Sequence, residues 1–362
     1  MKLAWKEIRF NLKKYLLIEI LIIFMIFMVM FLSGLANGLG RAVSSGIENM
    51  DTTQFIISTD AEKLISVSRL DKEILEQIKS SNDSKAAALD IQRMNLSIKG
   101  HSEKLDVSYF AINTEEFLNP EVIKGSKLTK DQYGIVLDDA FIEEGIAVGD
   151  TLVDAASGIE LTVTGFTKDA MYGHIPVGFI SMDTFTDIQT AINPNYELKY
   201  HVIALQGDKV VDLSNDGIEQ VDKATIIKNI PSYQAEQLTI NMILWVLVFV
   251  SAAILGVFFY IITLQKLKQF GVMKAIGMRM GEILTIQFSQ VVILAGFGVI
   301  CGNVLTYLMA LMLPKSMPFY LNQANTGVIS IAFVVIAICS SLISATQIAK
   351  VDPVKIIGGN EE

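Results

Sequence analysis

Cysteine is nearly missing from this sequence: two residues in 362, Cys301 and Cys339, both inside apolar runs. There they read as small apolar side chains, and the cysteine-free 38–237 segment has no disulfide framework. No GxxxxGK[ST] phosphate loop occurs anywhere in the chain. Internal repeats and low-complexity stretches are also absent. No charged residue falls between Leu238 and Leu264, a run long enough to cross a bilayer and longer than a soluble core helix needs. The N-terminal apolar run exceeds a usual signal-peptide core and reads as a retained anchor.

Four apolar blocks dominate what is there: Leu16 to Ala36, Leu238 to Leu264, Val291 to Leu313 and Val328 to Ser344. Each can cross the hydrocarbon core as a helix, which satisfies its own backbone polar groups. Lys2, Lys6, Arg9, Lys13 and Lys14 precede the first block. Lys266, Lys268, Lys274 and Arg279 lie between the second and third, and Lys350 and Lys355 follow the fourth. Only Lys315 lies between the third and fourth. The positive-inside rule then places both termini and the 266–282 loop in the cytoplasm, in a multi-pass protein of the cell membrane. The segment from Gly38 to Gln237 holds 17 basic and 32 acidic residues, a net charge of −15. An acidic exterior of this size argues against a nucleic-acid partner.

The expected fold class is a membrane α-helical protein with four transmembrane helices and a large extracytoplasmic α+β domain inserted between helices 1 and 2. The expected boundaries are a cytoplasmic amphipathic helix at 1–15, a first span at 16–37 and the extracellular domain at 38–237. A second span follows at 238–264, a cytoplasmic segment at 265–283, a third span at 284–313, an outer loop at 314–326, a fourth span at 327–348 and a cytoplasmic tail at 349–362.

In chain order, Lys2, Lys6, Arg9 and Lys13 share one helical face of the first segment, and Trp5, Ile8 and Leu12 another. Glu19 sits near the inner end of the first span, where it snorkels, pairs with a neighbour or serves a function. The span ends in SGLANGLGRAV, small residues that permit close helix contact or a break. Beyond it, LDKEILEQIKSS reads as a helix opened by Asp71, and AALDIQRMNLSI and KLDVSYFAI as strands. Ser157-Gly158 reads as a hairpin turn and DTFTDIQTAI as a helix. Gly298 and Gly302 have GxxxG spacing, which favours helix contact. Pro231 to Leu284 carries an aromatic mouth, a membrane crossing and a basic, glycine-punctuated foot in one piece.

KQFGVMKAIGMRMGEIL after the second apolar run, the closing DPVKIIGG and the stretch GIVLDDAFIEEGIAVGDTLVDAASGIELTVTGF resemble the FtsX/MacB-type permeases of ABC transporters. The strings MKLAWKEIRF, SGLANGLGR, MYGH, SYQAEQ, MPFYL and VDPVKIIGG resemble the haem-efflux branch of that family, the HrtB type. The resemblance implies a transport subunit rather than an enzyme. It also implies a homodimer served by two copies of a separate ABC ATPase subunit that binds the ATP. No intrinsic cofactor is implied; haem is the transported ligand, captured from the outer membrane leaflet between two copies.

Haem needs an apolar slot, an axial ligand for iron and cations for its propionates. On this reading Glu236 or Tyr233, three apart and on one helix face, is the expected iron ligand. Tyr172 and His174 lie on a loop expected near the same surface. Arg41 is placed to hold a propionate and Phe55 to stack. Phe270, Gly271, Lys274, Gly277 and Arg279 are the expected contacts with the ATPase, in a compact helix lying against it. Each has a plainer reading: aromatic belt for the tyrosines, a hydrogen-bonded loop histidine, a solvated helix end for Glu236, and positive-inside charge for the foot. Two other functions fit the same scaffold: export of another amphiphile (lipid, peptide or antibiotic), and FtsX-like mechanical signalling to an extracellular partner.

Overall fold

The computed structural model describes residues 2–81, 85–99, 104–130, 133–207, 217–314 and 317–349; the closing VDPVKIIGG string, the 350–362 part of the tail, Lys315, Lys350 and Lys355 lie outside them. The elements in order are α1 (Lys2–Phe10), α2 (Leu12–Glu48), β1 (Gln54–Ser58), α3 (Lys72–Ser81), β2 (Lys85–Ile98), β3 (Lys104–Ile112), β4 (Lys124–Gly125) and β5 (Gly134–Asp138). There follow α4 (Ala140–Glu143), β6 (Thr151–Asp154), β7 (Glu160–Thr167), β8 (Met171–Tyr172), β9 (Ile175–Ser181) and α5 (Met182–Ile192). The last are β10 (Val202–Gln206), β11 (Ile218–Asp222), α6 (Lys223–Lys228), α7 (Tyr233–Gln265), α8 (Leu267–Ala275), α9 (Met280–Met312) and α10 (Gln323–Ala349). The chain forms two compact units, Met1–Gly38 with Thr239–Glu362, and Leu39–Leu238.

Four helices among the described residues are long and apolar enough to cross a membrane, most of their length in the first unit: Tyr15–Glu48, Tyr233–Gln265, Met280–Met312 and Gln323–Ile343. Ile22 and Ile26 of α2, Phe259 of α7, Ala295 of α9 and Phe333 of α10 belong to one buried cluster. The glycines of α9 permit the close approach. A Cβ at Gly302 would lie 2.7 Å from the Ile26 side chain, and one at Gly298 would clash with Ile22 and lie 3.2 Å from Glu19 Oε1. Glu19 is thus packed inside the bundle with both carboxylate oxygens buried. The SGLANGLG stretch does not break α2. The 317–320 loop rests on it instead, Phe319 over Gly34 and the Pro318 backbone over Gly38, and Tyr320 N–H donates to Gly34 O at 2.9 Å. In α1, Ala4 and Ile8 are buried, while Trp5 and, at the start of α2, Leu12 stay more than half exposed. Trp245 and Phe249 of α7 are each 75% exposed within the single chain.

The second unit is built on a sheet of eleven strands in the order β11-β1-β10-β2-β3-β9-β5-β7-β4, with β6 joining β2 to β7 and β8 hairpinned on β9. Pairing is antiparallel except for β3 with β9 and β5 with β7. Strand side chains alternate between faces. Phe110 and Ile112 of β3 therefore enter one core with Phe55, Val177 and Phe179, while Tyr109 and Ala111 enter a second with Ile135, Leu137 and Ile180. Both faces are covered, which is why all five residues of β5 are buried. The β6–β7 hairpin forms at Ser157-Gly158: Asp154 Oδ1 accepts the Ser157 N–H at 2.8 Å, and Gly158 takes φ +76°. The last turns of α2 supply Val43 and Ile47 to the first core.

Candidate functional site

The second unit gathers most of the outer candidates. The β8–β9 hairpin turns through Gly173 (φ +58°) and His174 (φ +65°), the two left-handed positions that a tight two-residue turn demands. For a histidine this backbone is unfavourable, and the turn is held by donation from Gly173 N–H to Val43 O and from His174 N–H to Ala42 O, both at 2.9 Å. Met171 N–H donates to Ser45 Oγ at 3.0 Å. Gly46 allows the approach, since a Cβ there would sit 3.0 Å from Met171 O.

The hairpin thereby presents His174 to Glu236. Nε2 lies 3.1 Å from each Glu236 carboxylate oxygen, with both side chains partly exposed. Glu236 is in the first turn of α7, where the helix dipole favours a carboxylate. Its own N–H donates to Ser232 O at 3.0 Å, and Ser232 (φ +71°) makes the sharp entry into the helix. Tyr233, one turn back, is half-buried against the first core. Tyr172 packs edge-on to Phe110, ring centroids 5.6 Å apart, and burial pushes its phenol up to about 12. It stays protonated at neutral pH, so a phenolate there is disfavoured and Glu236 is the more available hard anionic ligand.

Two expectations change. Phe55 does not face a ligand: it is fully buried at the centre of β1, between Ala204 of β10 and Val221 of β11. Its ring fills the core and cannot stack on an outside molecule without unfolding the sheet. Arg41 does lie beside the start of α7, because a Cβ on the preceding Gly40 would come within 2.6 Å of the Gln237 side chain. Its guanidinium, however, meets Glu48 at 3.4 Å and Asp169 at 3.5 Å. A propionate would have to compete with two carboxylates already in place.

In the first unit, the basic foot is a helix, a turn and a helix start. Gly277 (φ +97°) ends α8: its N–H donates to Lys274 O and Met278 N–H to Met273 O, both at 3.1 Å. This is the left-handed glycine stop that satisfies the last helical carbonyls. Arg279 N–H donates to Glu282 Oε2 at 2.8 Å and starts α9. Phe270 and Gly271 are buried, with Phe270 against Ile283, so they shape the foot from inside. Val272, Ile276 and Arg279 form its exposed surface, with Lys274 half-buried.

Sequence reasoning missed the polar network behind this foot. Lys266, 5% exposed, places Nζ 2.5 Å from Glu7 Oε1 of α1 and 2.6 Å from Gln290 Oε1 of α9. Gln290 Nε2 donates to Glu7 Oε2 at 2.5 Å, and the Tyr15 ring lies 5.4 Å from the ammonium. One lysine so ties α1, α2 and α9 to the junction of α7 and α8. The available signal was Glu7, the lone acid in a strongly basic N-terminal segment.

Residues 241–353 match the family model of the FtsX-like permease C-terminal domain. That segment carries the FtsX-like permease C-terminal domain. It is 29% identical over 362 residues, covering all of both chains, to a protein of Staphylococcus haemolyticus named "Putative hemin transport system permease protein HrtB". It is 29% identical over 364 residues, again over all of both chains, to the protein of the same name from Staphylococcus epidermidis. An uncharacterized ABC transporter permease of Mycobacterium bovis is 28% identical over 148 residues, 40% of this chain and 41% of that one. Among solved structures, the extracellular domain of the noncanonic ABC-type transporter YknZ from Gram-positive bacteria matches 44% of this chain and 83% of that one, with 12% identity and a TM-score of 0.32.

Four helices long and apolar enough to cross a membrane, with the FtsX-like match over the last three, make the chain a multi-pass membrane protein. The FtsX match takes in α8, Lys266 and Gln290, whereas Glu7 and Tyr15, the other members of the network, lie outside it.

Proposed function

We propose that this permease is the membrane half of an ATP-driven haem exporter, with both termini in the cytoplasm and the sheet domain outside. Two copies associate, and haem enters between them from the outer leaflet. The observation that carries the reading is full-length similarity to permeases named for hemin transport, with Glu236 present at the mouth of α7. The exposed Trp245 and Phe249 of α7 are suited to contact with lipid and with the second copy.

Glu236 is the proposed axial ligand. A carboxylate is a hard donor suited to ferric iron, and in a two-fold dimer one residue per chain near the axis becomes a facing pair. His174 Nε2 lies 3.1 Å from that carboxylate, so iron displaces an imidazole rather than water. Tyr233 adds a phenol on the same helix face. A separate ATPase docks on the 265–283 foot through Lys274, Gly277 and Arg279, and the Lys266 network carries its motion to α1 and α9.

The test is haem release from proteoliposomes holding the permease with its ATPase. ATP-dependent loss of membrane haem, abolished by Lys274→Glu with Arg279→Glu, is expected. ATP-dependent loss of another amphiphile but not haem would favour the broader exporter. ATPase activity without any transported molecule would favour mechanical relay.

A further inference from the structure

The two faces of α1 differ in character. Ala4 and Ile8 are buried, Ile8 in one cluster with Tyr15, Ile18, Val291 and Leu294 of the first unit. Trp5, Lys6, Arg9 and Phe10 are exposed, Phe10 at 88% and Trp5 at 53%. At 3.6 residues per turn these four share an arc of about 140°, in the order Trp5, Arg9, Lys6, Phe10. Two cations therefore sit between two large aromatic rings. Trp5 does not share a face with Ile8, as the spacing suggests; it stands beside the cations.

The charge on this outward face is of one sign. Glu7 is the only acidic residue before Glu19, and it is turned into the unit, where Lys266 Nζ and Gln290 Nε2 engage its two oxygens. Among the described residues no ion pair engages Lys6, Arg9 or the exposed Lys13. The apolar part of the face continues past α1. Phe10 and Leu12 lead into Leu16, Leu17, Ile20 and Phe24 of α2, all more than half exposed. A surface continuous with that of a membrane-crossing helix meets lipid chains, and cations beside aromatics at the end of a span lie at the headgroup level.

We infer that this face of α1 is a binding surface for anionic phospholipid. The headgroup pairs with Lys6, Arg9 and Lys13, while Trp5 and Phe10 sink beside its acyl chains. A zwitterionic headgroup supplies the same phosphate but brings a cation of its own, so the anionic lipid is preferred. By drawing Glu7 inward, Lys266 keeps the face free of the one carboxylate that would repel such a headgroup. The inference rests on the helices crossing a membrane and is independent of the haem reading, because none of its residues belongs to that site.

Trp5 and Trp245 are the only tryptophans, so Trp245→Phe makes Trp5 the sole indole fluorophore of the full-length chain. The test reconstitutes this variant in vesicles of equal parts phosphatidylglycerol and phosphatidylcholine, with brominated acyl chains on one lipid or the other. Brominated phosphatidylglycerol is expected to quench Trp5 about twice as strongly as brominated phosphatidylcholine, because basic residues near the surface enrich anionic lipid around them. Lys6→Gln, Arg9→Gln and Lys13→Gln together, all exposed and clear of the Glu7–Lys266 pair, should equalise the two lipids while the melting temperature stays unchanged. High salt, which screens exposed charges without any substitution, should reduce the preference in the same way. The inference is overturned if the two lipids quench Trp5 equally before the cations are replaced, if neither quenches it, or if the preference survives both the triple substitution and high salt. It is also overturned if adding the ATPase subunit abolishes the quenching, which would assign the face to that protein.

Discussion

Replacing Lys266 by methionine removes the ammonium at the centre of the Glu7–Gln290 network while roughly keeping the side-chain volume. The ion pair at 2.5 Å is worth about 6–7 kcal/mol in direct Coulomb attraction at an effective dielectric near 20, most of it offset by the desolvation of both ions. Removing one partner of a buried pair typically costs about 3–5 kcal/mol because the other charge is stranded. Glu7 keeps 20% exposure and can regain some water, so the lower end, about 3 kcal/mol, is expected. The Glu7→Gln, Lys266→Met pair strands no charge and leaves Gln290 an amide partner, so its cost should be about 1 kcal/mol. Hydrogen exchange of α1 in nanodiscs reads this directly: Lys266→Met should speed opening of Lys2–Phe10 by about 100-fold, and the double variant should recover most of it. The reasoning fails if α1 exchange is unchanged in Lys266→Met, or if the double variant opens as readily as the single one.

Gly302→Val should destabilise the helical unit by about 1–3 kcal/mol, because its Cβ would meet Ile26 at 2.7 Å; Gly296→Val, with nothing within 4 Å, should not, and thermal unfolding in one detergent compares the two. Asp138 is buried, which pushes its carboxyl up to about 6 against the N–H donors of Ala170 and Ala140. Its folded form then holds the proton more tightly than the unfolded one, so its contribution is fully present below about pH 4 and is lost as pH rises through about 6. The span corresponds to ~3 kcal/mol, and Asp138→Asn should flatten the melting temperature of the sheet domain across that window. His174→Ala should tighten haem binding about two- to fivefold, since it frees Glu236 from a partly exposed pair; weaker binding would make His174 a ligand instead.

What could be read from sequence was local. KLDVSYFAI coincides with β3 because its alternation feeds two cores, Asp71 precedes α3, and Ser157-Gly158 forms its hairpin because glycine accepts the left-handed position. The four apolar blocks lie within helices, save Leu313 just past the end of α9, because backbone satisfaction in lipid leaves little choice. What escaped was long-range. Whether QFIIS is a flanking strand or a central one depends on β10 and β11, about 150 residues later, and so Phe55 was assigned to a ligand rather than to the core. Arg41 and Glu48 are seven apart on one helix and their pairing was legible, but Asp169 comes from the β7–β8 connection and was not. Likewise nothing local couples His174 to Glu236 or Lys266 to Glu7: each contact joins elements that only the fold brings together.

Glu236 carries the central claim, and a haem titration of purified wild-type and Glu236→Ala permease tests it most directly. Wild type should show a saturable Soret band, and Glu236→Ala should shift or abolish that band while its melting temperature and association with the ATPase stay unchanged. An unaltered band and affinity in Glu236→Ala would contradict the assignment of the axial ligand, and no saturable band in the wild type would contradict haem export itself.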